Sequence, residues 1–137
     1  MTSVAVIAHG RKTFGDGLAE LRRRLDAEVG GDVLWHEVEK SRLAPKVAKR
    51  CLEAGADLIL VWGGDGTVQR VVDTVAGSGV TLGILPAGTA NLLAHNLGIP
   101  IDLDGALDVA LHGARRDLDV GVVNGERFTM NACVSSS

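Results

Sequence analysis

The chain contains few aromatic residues and few cysteines. The first shortage limits the kind of core that it can form, and the second limits the kinds of cysteine site. Aromatic residues make up 3% of its 137 residues, while hydrophobic residues as a whole make up 46%. We therefore expect a core of Val, Leu, Ile and Ala, as in parallel sheets that helices cover on both faces. The two cysteines, Cys51 and Cys133, form no CxxC spacing, so neither a disulfide framework nor a zinc site is indicated. This pattern favours a reducing, cytoplasmic location.

The chain also lacks an excess of positive charge and a long apolar run. Its formal net charge is −3, which gives no electrostatic reason to expect a nucleic-acid partner, and the arginines at 22–24 are interpreted as the solvated face of a helix. Its apolar runs are shorter than the roughly 20 residues that span a bilayer, and its N-terminus lacks the form of a signal peptide. Any membrane contact is therefore expected to be peripheral, at the inner membrane face, with no basic amphipathic helix to mark a docking surface. The oligomeric state stays open.

Glycine is abundant, and strand and helix patterns alternate along the chain. The 18 glycines are about twice the usual share. Hydrophobic periodicity predicts strands at 4–8, 33–38, 58–62 and 80–85, and helices around Leu18 to Leu25, at 42–54 with Ser41 as N-cap, at 68–76, and after Pro86. The predicted fold class is α/β, a three-layer domain with a parallel βαβ sheet and right-handed crossovers. In that architecture, ligands bind where the carboxyl ends of strands meet helix N-termini.

The pattern changes towards the C-terminus. A last helix is predicted at 103–111, with Asp102 as its N-cap, and two extended runs joined by Asn124-Gly125 follow it. Asn-Gly between alternating residues is the strongest short signal for a hairpin. We expect residues 1–116 to form the α/β domain, and 117–137 to be a hairpin leading into a truncated second, antiparallel β-sandwich domain.

The stretch "GGDGT" follows the third predicted strand directly. Gly63, Gly64 and Gly66 lack Cβ atoms, so the turn can adopt positive φ and its backbone N–H groups can approach a ligand closely. Thr67 stands at a helix N-terminus, where orphan N–H donors favour anions. Asp65 would be repelled by a phosphate unless a metal or a transferable proton lies between them. Alternatively, Asp65 caps the helix and the glycines only permit a tight βα turn.

A second loop, "LPAGTAN", repeats this composition one βα unit later. Pro86 fixes the entry to the loop, Gly88 allows close approach, and Thr89 and Asn91 offer hydrogen bonds at a helix start. The chain contains neither a GxGxxG motif nor a complete P-loop motif. The two loops are expected to lie side by side at one edge of the sheet.

Together, "GGDGT" and "LPAGTAN" resemble the catalytic domain of the diacylglycerol kinase family, which includes sphingosine kinases and bacterial lipid kinases. The resemblance implies an α/β domain that binds ATP, and a following β-sandwich domain that completes a cleft for Mg²⁺ and lipid. Matched by position, the first loop is Gly63, Gly64, Asp65, Gly66 and Thr67, and the second includes Gly88, Thr89 and Asn91. The implied activity is transfer of the γ-phosphate of ATP to a lipid hydroxyl such as that of diacylglycerol. Asp65 is the candidate catalytic residue, steering Mg²⁺ or accepting the hydroxyl proton.

The sequence departs from the family pattern at several positions. Arg70 replaces a frequent Glu, and Ala90 replaces a frequent Gly. The opening loop reads "AHGRKTFGDG", so His9, Arg11 and Lys12 become candidates for phosphate contact. The acidic residues that complete the metal site in the family do not appear before the chain ends. A chain of this extent is therefore expected to be inactive alone.

Two alternatives remain. An NAD kinase shares "GGDGT" but phosphorylates a ribose hydroxyl, and activity on NAD without activity on diacylglycerol would identify it. A non-catalytic nucleotide-binding module would retain the fold without the chemistry, and Arg70 favours that alternative.

Overall fold

A computed structural model of the chain describes residues 3–9, 18–29, 33–86, 99, 103–123 and 126–134. Within these residues the strands are β1 (Val4–His9), β2 (Val33–Val38), β3 (Leu58–Gly63), β4 (Thr81–Pro86), β5 (Ala114–Val123) and β6 (Glu126–Val134). The helices are α1 (Leu18–Val29), α2 (Ala44–Glu53), α3 (Asp65–Val75) and α4 (Leu103–His112), and a 3₁₀ turn at Ser41–Leu43 precedes α2.

The strands form one sheet of six in the order β2-β1-β3-β4-β6-β5, in which β1 to β4 are parallel. The chain runs from β1 outwards to β2 and then back across to β3 and β4. With right-handed crossovers this reversal places α1 on one face of the sheet, and α2 and α3 on the other. Ion pairs of Arg24 with Asp104 and of Glu28 with His112 join α1 to α4, while α2 and α3 pack together. The predicted three-layer α/β fold is confirmed.

Strands β1 and β3 lie inside the sheet and are buried along almost their whole length. All of β3 is buried, and β1 is buried from Val4 to Ala8. Both strands are continuous apolar runs because helices cover both faces of the sheet. Gly83 in β4 shows how closely one layer packs, since a Cβ there would lie 2.7 Å from Leu60 Cδ2 and 3.0 Å from Ala110 Cβ. The absence of a side chain therefore lets α4 approach the sheet.

Two predicted helix starts are wrong. Helix α3 begins at Asp65 and not at Val68, because the first turn of a helix needs no buried stripe and tolerates an acidic residue well. Helix α2 begins at Ala44, and Leu43 occupies the N-cap position without a side-chain hydrogen bond. Ser41 therefore does not cap α2. Pro45 sets this boundary, because its fixed φ suits the first turn of a helix. Asp102 lies outside the described residues.

The C-terminal hairpin is attached to the α/β sheet. Strands β5 and β6 are antiparallel, as the sequence predicts, and β6 also pairs in parallel with β4 through Thr81 with Asn131 and Leu82 with Ala132. Strand β5 begins at Ala114, before the predicted boundary at 117. The assignment of 117–137 to a second domain stays a prediction. No helix among the described residues has both the length and the apolar character needed to cross a membrane.

Candidate functional site

The register of the parallel strands brings several of the predicted site residues to one edge of the sheet. His9 is paired with Val38 at the end of β2, and Gly63 is paired with Pro86 at the end of β4. Because Ala8 is paired with Trp62, His9 and Gly63 are also neighbours across β1 and β3. The carboxyl ends of the four parallel strands therefore form one row.

This edge contains the point at which the chain reverses its direction through the sheet. After β1 the chain turns to the face that carries α1, and after β3 it turns to the face that carries α3. A crevice opens between strands whose connections leave in opposite directions, and open α/β sheets bind their ligands in such crevices. His9 and the loop after Gly63 border this crevice.

Gly63 is required by packing. A Cβ at this position would lie 2.9 Å from Thr67 Cβ and 3.2 Å from its Oγ1. Thr67 is 2% exposed, so the first turn of α3 lies directly against the end of β3. The positive φ that glycine permits is not used at Gly64, which has φ −85° and ψ −171°, and Gly66 lies inside the helix. Close approach between the helix and the strand accounts for Gly63 instead.

Gly64 is the N-cap of α3 and has neither a conformational nor a packing reason to be glycine. A Cβ there would meet no atom of the described residues within 4 Å. The first bond of the helix runs from Val68 N–H to Gly64 C=O, at 3.1 Å. The N–H groups of Asp65, Gly66 and Thr67 precede that bond, so no carbonyl of the helix is placed to accept from them. A helix N-terminus that no described side chain caps, and beside which no described residue lies, suits an anion such as phosphate.

Asp65 is the first residue of α3, and its side chain lies outside the described part of the structure. The alternative in which Asp65 caps the helix is wrong, because Gly64 holds the N-cap position. His9 is partly buried at the end of β1. Five other candidates lie outside the described residues, and their contact with phosphate stays a prediction: Arg11, Lys12, Gly88, Thr89 and Asn91. The loop that contains the last three begins directly after Pro86, at the same edge.

Metal and nucleophile chemistry find little support in the described residues. Within them, no group of three or more His, Cys, Asp or Glu side chains is placed to hold a metal ion. Cys51 is buried in α2, and burial raises the pKa of its thiol, which keeps the thiol neutral and unreactive. Arg70 is exposed on α3, and its carbonyl accepts a hydrogen bond from Thr74 Oγ1 at 2.8 Å.

One feature of the candidate site was not foreseen from the sequence, namely that Gly64 is the N-cap of the helix and that no described side chain caps it. The pattern that could have shown it is the stripe of buried valines at 68, 71, 72 and 75, which sits on one face of α3. Extending that helix backwards by one turn reaches Asp65 and leaves Gly64 as the residue before it.

Comparison with known proteins agrees with this geometry. The sequence model of the family described as "Diacylglycerol kinase catalytic domain" matches residues 3–123. The chain is 36% identical over 122 residues to a diacylglycerol kinase of Bacillus subtilis (strain 168), covering 87% of this chain and 40% of that protein. It is 33% identical to a diacylglycerol kinase of Staphylococcus epidermidis, of which it covers 38%.

A solved structure extends the similarity to the fold. A crystal structure of a diacylglycerol kinase from Bacillus anthracis str. Sterne superposes with a TM-score of 0.74 and 25% identity, covering 91% of this chain and 44% of that one. The chain thus spans about 40% of the length of the curated relatives that it matches. Because the family match extends over most of its residues, the chain belongs to the diacylglycerol kinase catalytic domain family.

Proposed function

We propose that this chain is the nucleotide-binding part of an ATP-dependent lipid kinase, which transfers the γ-phosphate of ATP to a lipid hydroxyl such as that of diacylglycerol. The observation that supports it is the N-terminus of α3, with Gly64 as its uncapped N-cap at the reversal point of the sheet. Membership of the family supports the class of reaction. Both candidate loops continue from the same row of strand ends, next to His9.

The described residues would contribute to the reaction mainly by holding the phosphates of ATP in place. The N–H groups of the first turn of α3 would hold phosphate oxygens, and the partial positive charge of the helix end would favour them. Packing of Thr67 against Gly63 fixes that helix end relative to the strand. Phosphoryl transfer depends largely on such positioning and on electrostatic stabilisation, so a rigid frame is what the reaction requires of this domain.

Mg²⁺ would neutralise charge on the phosphates of ATP. Proteins commonly hold Mg²⁺ through one or two carboxylates together with substrate phosphates, so a cage made only of protein ligands is not required. Asp65, at the head of α3, is the candidate carboxylate. It would orient the ion or accept the proton of the attacking hydroxyl. The remaining ligands would come from the part of the protein beyond this chain.

The extent of the chain limits what it would do alone. Since it spans about 40% of its curated relatives, the cleft for the lipid would be completed by the remainder of the protein. We expect the isolated chain to bind ATP with Mg²⁺ weakly and to turn over little or none. We propose in addition that the protein is cytoplasmic and meets the inner membrane face peripherally.

The test of this proposal is phosphate transfer by the full-length gene product, with Asp65→Asn as its variant. We expect phosphorylation of diacylglycerol, and a loss of turnover of roughly a hundredfold or more in the variant, because the amide can neither attract Mg²⁺ strongly nor accept a proton. Unchanged thermal unfolding would show that the fold is intact. Asp73→Asn, an equal change on an exposed residue of the same helix, is the matched control.

The acceptor decides among the alternatives. Phosphorylation of NAD and not of diacylglycerol would identify an NAD kinase. Transfer to neither acceptor, with nucleotide binding retained, would favour the non-catalytic module. Normal lipid phosphorylation by Asp65→Asn would remove Asp65 from the mechanism.

A further inference from the structure

The outer surface of α2 carries positive charges that the fold does not use. Lys46, Lys49 and Arg50 are exposed, whereas the opposite side of the helix is buried against the protein. Arg42, in the 3₁₀ turn before α2, is exposed as well. Within the described residues none of these four cations forms an ion pair. Together with Leu43 in the same turn, they form the surface that we call the α2 basic face.

The arginines of α1 provide a contrast. Arg23 and Arg24 form ion pairs with Glu20, and Arg24 also pairs with Asp104. Arg22 lies over the ring of Trp35, 5.3 Å from its centroid. Each of these cations therefore has a carboxylate or an aromatic ring as its partner within the fold.

On α2, Lys46 lies three residues before Lys49 and four before Arg50, a spacing at which like charges repel along a helix. Exposed Glu53, three residues after Arg50 and four after Lys49, offsets part of this repulsion, but within the described residues it forms no ion pair with either cation. A negatively charged partner would remove the repulsion that is left.

Leu43 adds an apolar group to this surface. Its exposure is 42%, and it is the one large hydrophobic side chain that is exposed among the residues with described side chains. The turn that contains it follows β2, whose last residue is paired with His9, and the turn contacts α3. The α2 basic face therefore begins at the edge of the sheet that holds the candidate nucleotide site.

We propose that the α2 basic face docks the protein on an anionic lipid bilayer. Lys46, Lys49 and Arg50 contact the phosphates of the headgroups, and Leu43 enters the apolar side of the interface while α2 stays packed on the sheet. Charge complementarity selects this partner, since each cation near an anionic membrane surface strengthens binding. Leu43 favours a bilayer over a nucleic acid, because the phosphates of a nucleic acid have no apolar layer beside them that a leucine side chain could enter. This proposal differs from the expectation, drawn from the sequence, that no basic amphipathic helix marks a docking surface.

The docking itself does not depend on the nucleotide site. Its purpose rests on the proposed function, because a lipid kinase must meet a substrate that resides in the membrane. Docking through this face would present the edge of the sheet with Gly64 close to the bilayer surface. Vesicle binding therefore tests the docking surface, and ATP binding separately tests the proposed function.

The experiment is sedimentation of the 137-residue chain with vesicles of phosphatidylcholine, with and without an equal part of phosphatidylglycerol. The charge variant combines Lys46→Gln, Lys49→Gln and Arg50→Gln. The matched control removes the same charge from α1 through Arg22→Gln, Arg23→Gln and Arg24→Gln. A third protein carries Leu43→Ser. Circular dichroism confirms that each variant is folded.

We expect binding to the anionic vesicles alone, weakening as salt is raised. Each lost cation should weaken binding about fivefold, so the α2 charge variant should lose roughly a hundredfold. Leu43→Ser should lose roughly fivefold, because part of a leucine side chain no longer leaves water. The α1 control should bind like the wild type.

Three outcomes overturn the proposal. One is equal binding to neutral and anionic vesicles, or no binding to either. Another is an equal loss in the α1 control, which would show that only net charge matters. The third is displacement from the vesicles by duplex DNA together with no effect of Leu43→Ser, which would indicate a general polyanion surface. If the wild type binds vesicles but does not bind ATP, the docking assignment would stand and the proposed function would be contradicted.

Discussion

The two edges of the sheet are both rich in glycine, yet they use glycine for different reasons. At the amino edge, where helices return to strands, Gly55, Gly77 and Gly79 have φ of 83°, 81° and 86°. These are left-handed conformations that glycine adopts without steric cost. At the carboxyl edge, Gly63 is fixed by packing, and a Cβ at Gly64 would meet none of the described residues within 4 Å. Glycine content alone therefore does not locate a site, whereas the reason for each glycine does.

The polar groups of the two edges differ in the same way. At the amino edge, Asp57 accepts from Ser3 N–H through Oδ2 at 3.0 Å, its own N–H donates to Ser3 C=O at 2.8 Å, and its C=O accepts from Thr81 N–H at 3.0 Å. A cavity of about 300 Å³ is present there as well, lined in part by Asp57 and by Ser78, whose hydroxyl donates to Val75 C=O at 2.6 Å. These polar groups of the amino edge pair with one another. At the carboxyl edge, by contrast, no described side chain caps the first turn of α3.

Gly63→Ala should have the largest effect on stability. The new methyl group would lie 2.9 Å from Thr67 Cβ, which is part of the first turn of α3 and cannot rotate away. Overpacking of this kind typically lowers the free energy of unfolding by about 1 to 3 kcal/mol. Alanine in place of glycine also raises it by roughly 0.5 to 1 kcal/mol, because the unfolded chain has less conformational freedom, but this gain is smaller. Urea unfolding would measure the loss. Stability equal to the wild type would show that α3 does not lie as close to β3 as described.

Gly55→Ala tests the amino edge, with a smaller expected loss of about 1 kcal/mol. Gly55 ends α2 in a Schellman arrangement, with Ala56 N–H donating to Cys51 C=O and Gly55 N–H to Leu52 C=O, both at 3.1 Å. A Cβ there meets nothing within 4 Å, so the cost arises from the backbone alone. Gly55→Asn is the control, because asparagine tolerates the left-handed region better. An equal or larger loss for asparagine would contradict this explanation.

Much of this organisation could be predicted from local sequence, and the remainder depends on tertiary contacts. Strands buried on both faces are visible as apolar runs, which is why β1 to β4 and the loop at Gly63 were foreseen. The parallel pairing of β6 with β4 has no local signal, since it joins segments far apart in the chain. The spacing of the cations on α2 is visible in the sequence, whereas the exposure of Leu43 beside them depends on tertiary packing, which is why the α2 basic face was missed. The packing of Gly63 against Thr67 could not be predicted, because a sequence does not show which property of glycine a position uses.

Gly64→Ser should have the smallest effect on stability and the most informative one. Serine is favoured at an N-cap, where its hydroxyl accepts from an N–H group of the first turn, so the variant should match the wild type or gain roughly a few tenths of a kcal/mol. Its Cβ meets no atom of the described residues within 4 Å, so packing should not oppose it. The same hydroxyl would occupy the donors and the space assigned to phosphate. We therefore expect calorimetry to show ATP–Mg²⁺ binding weakened about tenfold or more in a protein that is at least as stable. Ala54→Ser, on an exposed residue near the amino edge, should leave binding unchanged. Unweakened binding in Gly64→Ser would mean that the space beside Gly64 is not where the nucleotide lies, and the difference between the two edges would then be one of packing alone.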